Sequence, residues 1–535
     1  MPNGDRTGGG RLQGEGWDRP LPERPLARKA TPLDKDLKKI ARLERATVET
    51  ARSSTRIGIA LLFILAVCAY VALKGDAFDN TAIVLVAGVV GAYMALNIGA
   101  NDVANNVGPA VGAQALTLSG ALVIAGICET AGALIAGGDV VATVSRGIVD
   151  PAGFADPDAL ILGMLCALLA AALWLNLATW LGAPVSTTHA IVGAVAGSGI
   201  AAAGMDAVNW PAMGKIAASW VISPVLGGLI AAGILLIIKF TILYRPDRVA
   251  AAKRWVPILV AVMASAFSVY LVMKGLQRLW KPGPAALGLI GLGAFGLAWG
   301  AVHPMVTRAA VGLDNRRKSV MQLFTVPLIC SAALLSFAHG ANDVANAVGP
   351  LAAIVGVSSS GTVAMQVAIP FWVMLVGAAG ITLGLALFGP RLIRTVGTKI
   401  TRLDRARAFA IALSAAITVI AASWLGLPVS STHIALGALF GVGFLREWLD
   451  RRRKRGRIRR AQPLPQWAAD GLARAEGAAG LEDMLRAEKV KKARKRRLVR
   501  RSHLLSIAAA WVITVPMTAV LAAGLYAFAR AAWAG

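Results

Sequence analysis

Two carboxylates, Asp102 and Asp343, sit in strings of amides that are nearly identical: residues 99–109 read GANDVANNVGP and residues 340–350 read GANDVANAVGP. Ten of the eleven positions agree, and the mismatch is Asn106 against Ala347. At about 3.6 residues per turn, Asn101 and Asn105 stack on one helix face with Asp102 alongside; Asn342, Asp343 and Asn346 repeat the pattern. A carboxylate with amide and backbone carbonyl oxygens suits a hard cation such as Na⁺, and each Asp serves equally to bind and release a proton. A second pair of strings follows the first: Pro184-Val-Ser186-Thr187-Thr188-His189 and Pro428-Val-Ser430-Ser431-Thr432-His433. Proline is tolerated in the first turn of a helix, Ser and Thr cap it, and the free N–H groups there favour an anion. Hydroxyls donate and accept, so they bind an oxyanion in any protonation state. None of the four strings contains Lys or Arg. An anion held beside two carboxylates without fixed positive charge needs a cation bound with it, which makes cotransport obligatory.

Blander readings compete at each position. Asn side chains can bond neighbouring helices in lipid, and the Pro-Val-Ser strings can be simple caps. His189 and His433 read as hydrogen-bonded structural residues ahead of proton relays. Glu129, in Ile127-Cys-Glu-Thr-Ala, is the remaining acid in apolar sequence; cation ligand, proton site and buried hydrogen bond all stay open for it. The second half has no carboxylate in the stretch taken as equivalent, where Pro370-Phe-Trp stands. Ser, His and Asp together also raise an intramembrane hydrolase, but a catalyst needs one asymmetric constellation, and here everything is doubled. No cofactor is expected beyond a co-transported Na⁺ or H⁺.

The elements that position these residues are membrane helices. The chain is 56% hydrophobic and 16% charged, with a mean hydropathy of +0.64, against about 25% charged in ordinary soluble domains. Apolar stretches long enough to cross a bilayer fall near 57–74, 82–99, 118–138, 158–182, 187–204, 213–243, 255–274, 284–302, 322–340, 361–389, 406–426, 429–445 and 504–530. The fold class is therefore an all-α polytopic membrane protein with 12 to 13 membrane segments. Gly99, Gly108, Pro109, Gly340, Gly349 and Pro350 are expected to break helices beside the site. The four cysteines read as buried apolar residues.

The net charge of +27 does not signal nucleic acid, because much of it is concentrated: residues 446–503 hold 20 Lys or Arg against 7 Asp or Glu. Basic loops beside membrane helices mark the cytoplasmic side and touch anionic headgroups. With the basic N-terminal tail inside, the loops bearing Asp76 and Asp79, and Asp139, Asp150 and Asp156, fall outside. The basic loops at 245–254, 304–320 and 390–405 fall inside, and only 275–283 disagrees. The two GANDVAN strings then run in opposite senses through the membrane. That is the pattern of inverted-topology repeats with a midplane site. The expected organisation is a polar, largely disordered cytoplasmic tail (1–56, with an amphipathic helix around 34–52), an extra membrane helix and short loop (57–81) and a first transport repeat (82–243). Connecting helices and basic loops (244–321) follow, then the first part of a second repeat (322–445), a basic cytoplasmic loop (446–503) and a final membrane helix (504–535).

At these residues the chain resembles the PiT family of inorganic phosphate transporters. The resemblance rests on both GANDVAN strings, on PVSTTH and PVSSTH, and on flanking stretches such as Gly137-Gly-Asp-Val-Val-Ala-Thr-Val and Arg394-Thr-Val-Gly-Thr-Lys-Ile. It implies phosphate uptake by symport with Na⁺ or H⁺, with both repeats lining a central site and often a homodimer; the expected location is the bacterial inner membrane, with the N-terminus cytoplasmic by the loop charges. By motif position it makes Asn101, Asn105, Ser186, Thr187, Thr188, Asn342, Asn346, Ser430, Ser431 and Thr432 phosphate ligands and Asp102 and Asp343 cation ligands; Glu129 joins the latter as an intramembrane acid. A sulfate carrier of the same architecture and a channel are the rivals within reach. The tail, the helix at 57–74, the long basic insert and Ala347 depart from the family pattern.

Overall fold

The computed structural model describes residues 54–75, 78, 80–154, 156–181, 185–275, 280–360, 369–399, 403–460 and 501–534. The expected tail with its amphipathic helix, and residues 461–500 of the basic segment, lie outside the described residues. Two compact units divide at Gly58, and both pairs of motifs lie in the second, from Ile59 onward.

The described elements are helices, apart from an isolated bridge between Val149 and Val208. They are α1 (Ser54–Leu73), α2 (Thr81–Gly112), α3 (Leu118–Ala136), α4 (Gly138–Arg146), α5 (Pro157–Leu181) and α6 (Thr187–Ala203). Next come α7 (Trp210–Ile238, continued by a π-helical turn at Lys239–Leu243), α8 (Arg248–Gly275), α9 (Pro284–Ala309), α10 (Arg317–Val320), α11 (Thr325–Asp343) and α12 (Ala345–Ser360). The last are α13 (Phe371–Lys399), α14 (Arg405–Trp424), α15 (Ser431–Arg460) and α16 (Arg501–Ala534). Eleven helical stretches among the described residues are long and apolar enough to cross a membrane. Their starts follow from local chemistry: Asn80, Thr117, Asn209 and Asp404 each cap a helix with a side-chain oxygen, and Pro284 opens α9 where its missing N–H costs nothing.

Three expectations need correction. The first GANDVAN string does not break its helix: α2 runs through Gly99, Gly108 and Pro109 to Gly112. In the second copy the interruption is the single residue Val344, between α11 and α12, and Gly340, Gly349 and Pro350 lie within helix. The physical reason is that these glycines serve packing. A Cβ on Gly99 would lie 1.9 Å from the Ile381 carbonyl oxygen, and one on Gly340 would lie 2.0 Å from that of Glu129. Second, the stretch at 187–204 is no full crossing. α6 has 17 residues, about 26 Å at 1.5 Å per residue, short of a hydrocarbon core of about 30 Å. It returns from the end of α5 as one arm of a hairpin, and α14 with α15 forms the matching hairpin. Third, Asp139 does not sit in a loop but in the first turn of α4, ion-paired with Lys274 at the end of α8.

The two halves interleave. α2 packs on α13 and α11 on α3; α6 packs on α16 and α15 on α7. Each half thus lends its motif helices to the other. The register is set by glycines placed identically after the two PVS strings: Gly197 faces the Ala519 carbonyl at 2.2 Å from a would-be Cβ, and Gly441 faces that of Gly228 at 2.0 Å. The contacts of Gly99 and Gly340 also pair Glu129 with Ile381 as equivalent positions. This corrects the placement of Glu129's counterpart near Pro370. Thr130 and Thr382, each next in sequence to that pair, meet hydroxyl to hydroxyl at 2.8 Å where the halves join.

Candidate transport site

The two strings of each kind converge on one buried cluster. Asp102, 1% exposed, accepts at Oδ2 from the Thr187 hydroxyl (3.1 Å) and at Oδ1 from Thr432 (3.0 Å) and Asn101 Nδ2 (3.1 Å). Asp343 Oδ2 accepts from Ser431 at 3.0 Å, the counterpart of the Thr187 bond. Amides cross between halves: Asn105 Nδ2 donates to Thr432 at 2.7 Å, and Asn346 Nδ2 donates to Thr187 and Thr188 at 3.3 Å each. Asn342 braces the turn before α15, donating to Ser423 (2.9 Å) and the Leu427 carbonyl (3.1 Å) and accepting from Val429 N–H (3.2 Å). Asn101 faces the Val185 carbonyl in the same way at 3.5 Å.

Ser186 and Ser430 are the caps. Their hydroxyls accept from the backbone N–H of His189 (3.2 Å) and His433 (3.3 Å). The first N–H groups of α6 and α15, at residues 187–188 and 431–432, have no acceptor within their helices. The N-termini of α6 and α15 therefore both meet the carboxylates. Behind them the rings of His189 and His433 meet at 4.8 Å, with Trp220 edge-on to His189 at 3.9 Å. Trp220 also donates to the Pro428 carbonyl at 3.0 Å.

One candidate residue was missed by sequence reasoning. His339, fully buried, places Nε2 2.8 Å from Asp343 Oδ2 and 4.0 Å from Asp102 Oδ2, and Nδ1 3.2 Å from Glu129 Oε1. Glu129 Oε1 also accepts from Asn106 Nδ2 at 2.7 Å. The signal available was a histidine one helical turn before Asp343, where the first string has Ile98. This polar trio exists in one half only: His339, Glu129 and Asn106 correspond to Ile98, Ile381 and Ala347, all buried and apolar. The Asn106/Ala347 mismatch thus belongs to a larger asymmetry.

The electrostatics are lopsided. Among the described residues, the ion-pair partner of all three carboxylates is the single imidazole of His339. Within this cluster four buried oxygens have no hydrogen-bond donor: Asp343 Oδ1, Glu129 Oε2, Asn346 Oδ1 and Asn106 Oδ1. Buried acceptors without donors cost free energy, and oxygens of this kind are what a hard cation takes as ligands. One ligand atom from each of Asp102, His339 and Asp343 lies within 4.8 Å of the other two.

Buried carboxylates without fixed positive charge, met by two helix N-termini inside a bundle of membrane helices, define a membrane carrier of an anion and a cation. The comparisons with known proteins agree. A model described as "Phosphate transporter family" matches residues 98–522, and the chain belongs to this family. It is 46% identical over 522 residues to a protein of Helicobacter pylori strain J99 named "Putative phosphate permease", covering 92% of this chain and 98% of that one. It is 39% identical over 360 residues to a protein of Pyrococcus abyssi of the same description, covering 67% and 88%. Among solved structures, "The sodium-dependent phosphate transporter" matches with a TM-score of 0.71 and 34% identity over 84% of this chain and 99% of that one. The family is one of transporters, which leaves the hydrolase reading without support.

Proposed function

We propose that this protein imports inorganic phosphate by symport with Na⁺, through alternating access about the cluster at Asp102 and Asp343. The observation that carries the reading is the set of donor-free buried oxygens beside two carboxylates with no Lys or Arg partner among the described residues. Cations entering that set neutralise the site, and phosphate then binds between the N-termini of α6 and α15 through Thr187, Thr188, Ser431 and Thr432 with Asn101, Asn105, Asn342 and Asn346. Ser186 and Ser430 act through the caps they form. Without cation, phosphate meets uncompensated negative charge; without phosphate, the cation site lacks its counter-ion. This mutual dependence is the coupling. The name of the solved relative supports Na⁺ over H⁺.

The interleaved halves support the inverted-repeat reading, in which exchanging the conformations of the two halves exchanges the face of access. Loop charges support a cytoplasmic N-terminus and an inner-membrane location. The homodimer rests on family resemblance.

The test is uptake of labelled phosphate into proteoliposomes with external Na⁺, with K⁺ in its place, and with excess unlabelled sulfate. Accumulation is expected with Na⁺ only, and sulfate competes poorly. Stronger competition by sulfate than by unlabelled phosphate moves the substrate to sulfate.

A further inference from the structure

A half-exposed polar stripe leaves the central cluster along α2. Tyr93, Asn97, Asn101 and Asn105 recur at every fourth residue of α2 and so share one face. All four are half-buried, while Met94, Leu96, Ile98 and Asp102 between them are buried. α5 meets the stripe with Asn176, an exposed side chain at membrane depth. Its Nδ2 contacts the Tyr93 hydroxyl, Asn97 Oδ1 at 3.1 Å and the Ala172 carbonyl at 3.3 Å. Asn97 Nδ2 donates to the Tyr93 carbonyl at 2.8 Å.

The second half has no such path. The register of the GANDVAN strings puts Leu334 and Ala338 where Tyr93 and Asn97 stand, and the register of the PVS strings puts Ile420 where Asn176 stands. Leu334 and Ala338 are buried, and Asn342 and Asn346 are at most 1% exposed. The site therefore opens along α2 and is sealed along α11 and α12. Partly exposed amides and a phenol inside membrane helices are costly toward lipid and are expected where they border water. These groups carry donors and acceptors without charge. Tyr93 accepts from Asn176 and keeps its own O–H to donate, and Asn97 keeps a second N–H. Neutral donors hold an oxyanion weakly enough to release it inward.

We propose that Tyr93, Asn97 and Asn176 form an outer subsite for phosphate, about 6 Å or one helical turn from Asn101, which the anion occupies on its way to the central cluster. The subsite rests on the phosphate reading above. It also makes access chemically different on the two sides, since the other half offers leucine, alanine and isoleucine at the matching positions.

Substituted-cysteine labelling tests it. In the full-length protein with Cys68, Cys128, Cys166 and Cys330 replaced by Ala, Asn97→Cys, Asn176→Cys, Ala338→Cys and Ile420→Cys are reconstituted separately. Each is exposed from the outer side to a membrane-impermeant anionic thiosulfonate. Positions 97 and 176 are expected to label, more slowly when saturating phosphate is present, and positions 338 and 420 to stay unlabelled. In the native background, Asn97→Ala raises the half-saturating phosphate concentration by about fivefold, the effect of one lost hydrogen bond, with the maximal rate retained. No labelling at 97 and 176, or labelling indifferent to phosphate, overturns the subsite. If the parent transports phosphate in the same assay, that failure leaves the central reading standing. A parent that does not transport phosphate overturns both.

Discussion

Asp102 collects hydroxyls from both PVS strings and Asp343 one from the second, yet neither meets a Lys or Arg among the described residues. Changing either to Asn keeps the shape and hydrogen-bonding capacity but removes the charge. Asp102→Asn and Asp343→Asn are each expected to abolish concentrative uptake while the purified protein stays monodisperse; undiminished accumulation in either contradicts the assigned role. Glu129 is subtler, since it reaches Asp343 through His339 and exists in one half only. Glu129→Gln is expected to raise the half-saturating Na⁺ concentration more than that of phosphate, and Asn106→Ala to do the same to a smaller degree. Equal shifts in both constants count against a cation role. The amides and hydroxyls of this cluster were legible in the sequence because duplication marked them. His339 was not, since a lone histidine in an apolar helix usually satisfies a local hydrogen bond. Its meaning appears only when its counterpart is seen to be Ile98.

Helices decide how closely these residues can be brought together. Glycine and proline in the motifs suggested broken helices, whereas α2 is continuous and the glycines serve close approach of backbones. Periodicity and composition reveal apolar helices but not which glycine faces a neighbouring carbonyl, so that distinction was out of reach of the sequence. Gly441→Ala places a methyl 2.0 Å from the Gly228 carbonyl oxygen and is expected to cost about 1–3 kcal/mol. Thermal unfolding of the detergent-solubilised protein checks it, with Gly524→Ala, where no atom lies within 4 Å, as the comparison. At the N-terminal end of α14, Asp404 caps the helix and pairs with Arg407 (2.9 Å) and Arg317 (3.2 Å). Burial pushes its carboxyl up, but these two arginines outweigh it and hold the group below the usual range. A lowered folded value means the stabilisation is full at neutral pH and fades as pH falls through that value. Asp404→Ala is therefore expected to cost about 1 kcal/mol at pH 7, with the difference in melting temperature from the parent shrinking on acidification.

At the scale of the whole molecule, the halves are interleaved rather than set side by side, so each half-site is completed by the other half's hydroxyls: Asn105 by Thr432, and Asn346 by Thr187 and Thr188. Duplication was readable from the paired motifs. The interleaving was not, because it depends on long-range packing that leaves no periodic trace. An interleaved site cannot bind with one half alone, and three carboxylates around one imidazole cannot accept an anion without cations. The most direct test is a paired flux measurement in proteoliposomes at equal pH on both sides, with a proton uncoupler present, following labelled Na⁺ and labelled phosphate together. Each ion should enter only when the other is present, in a fixed ratio, and Asp343→Asn should stop both. Phosphate accumulation that persists without Na⁺ and collapses with the uncoupler would contradict Na⁺ coupling at this cluster.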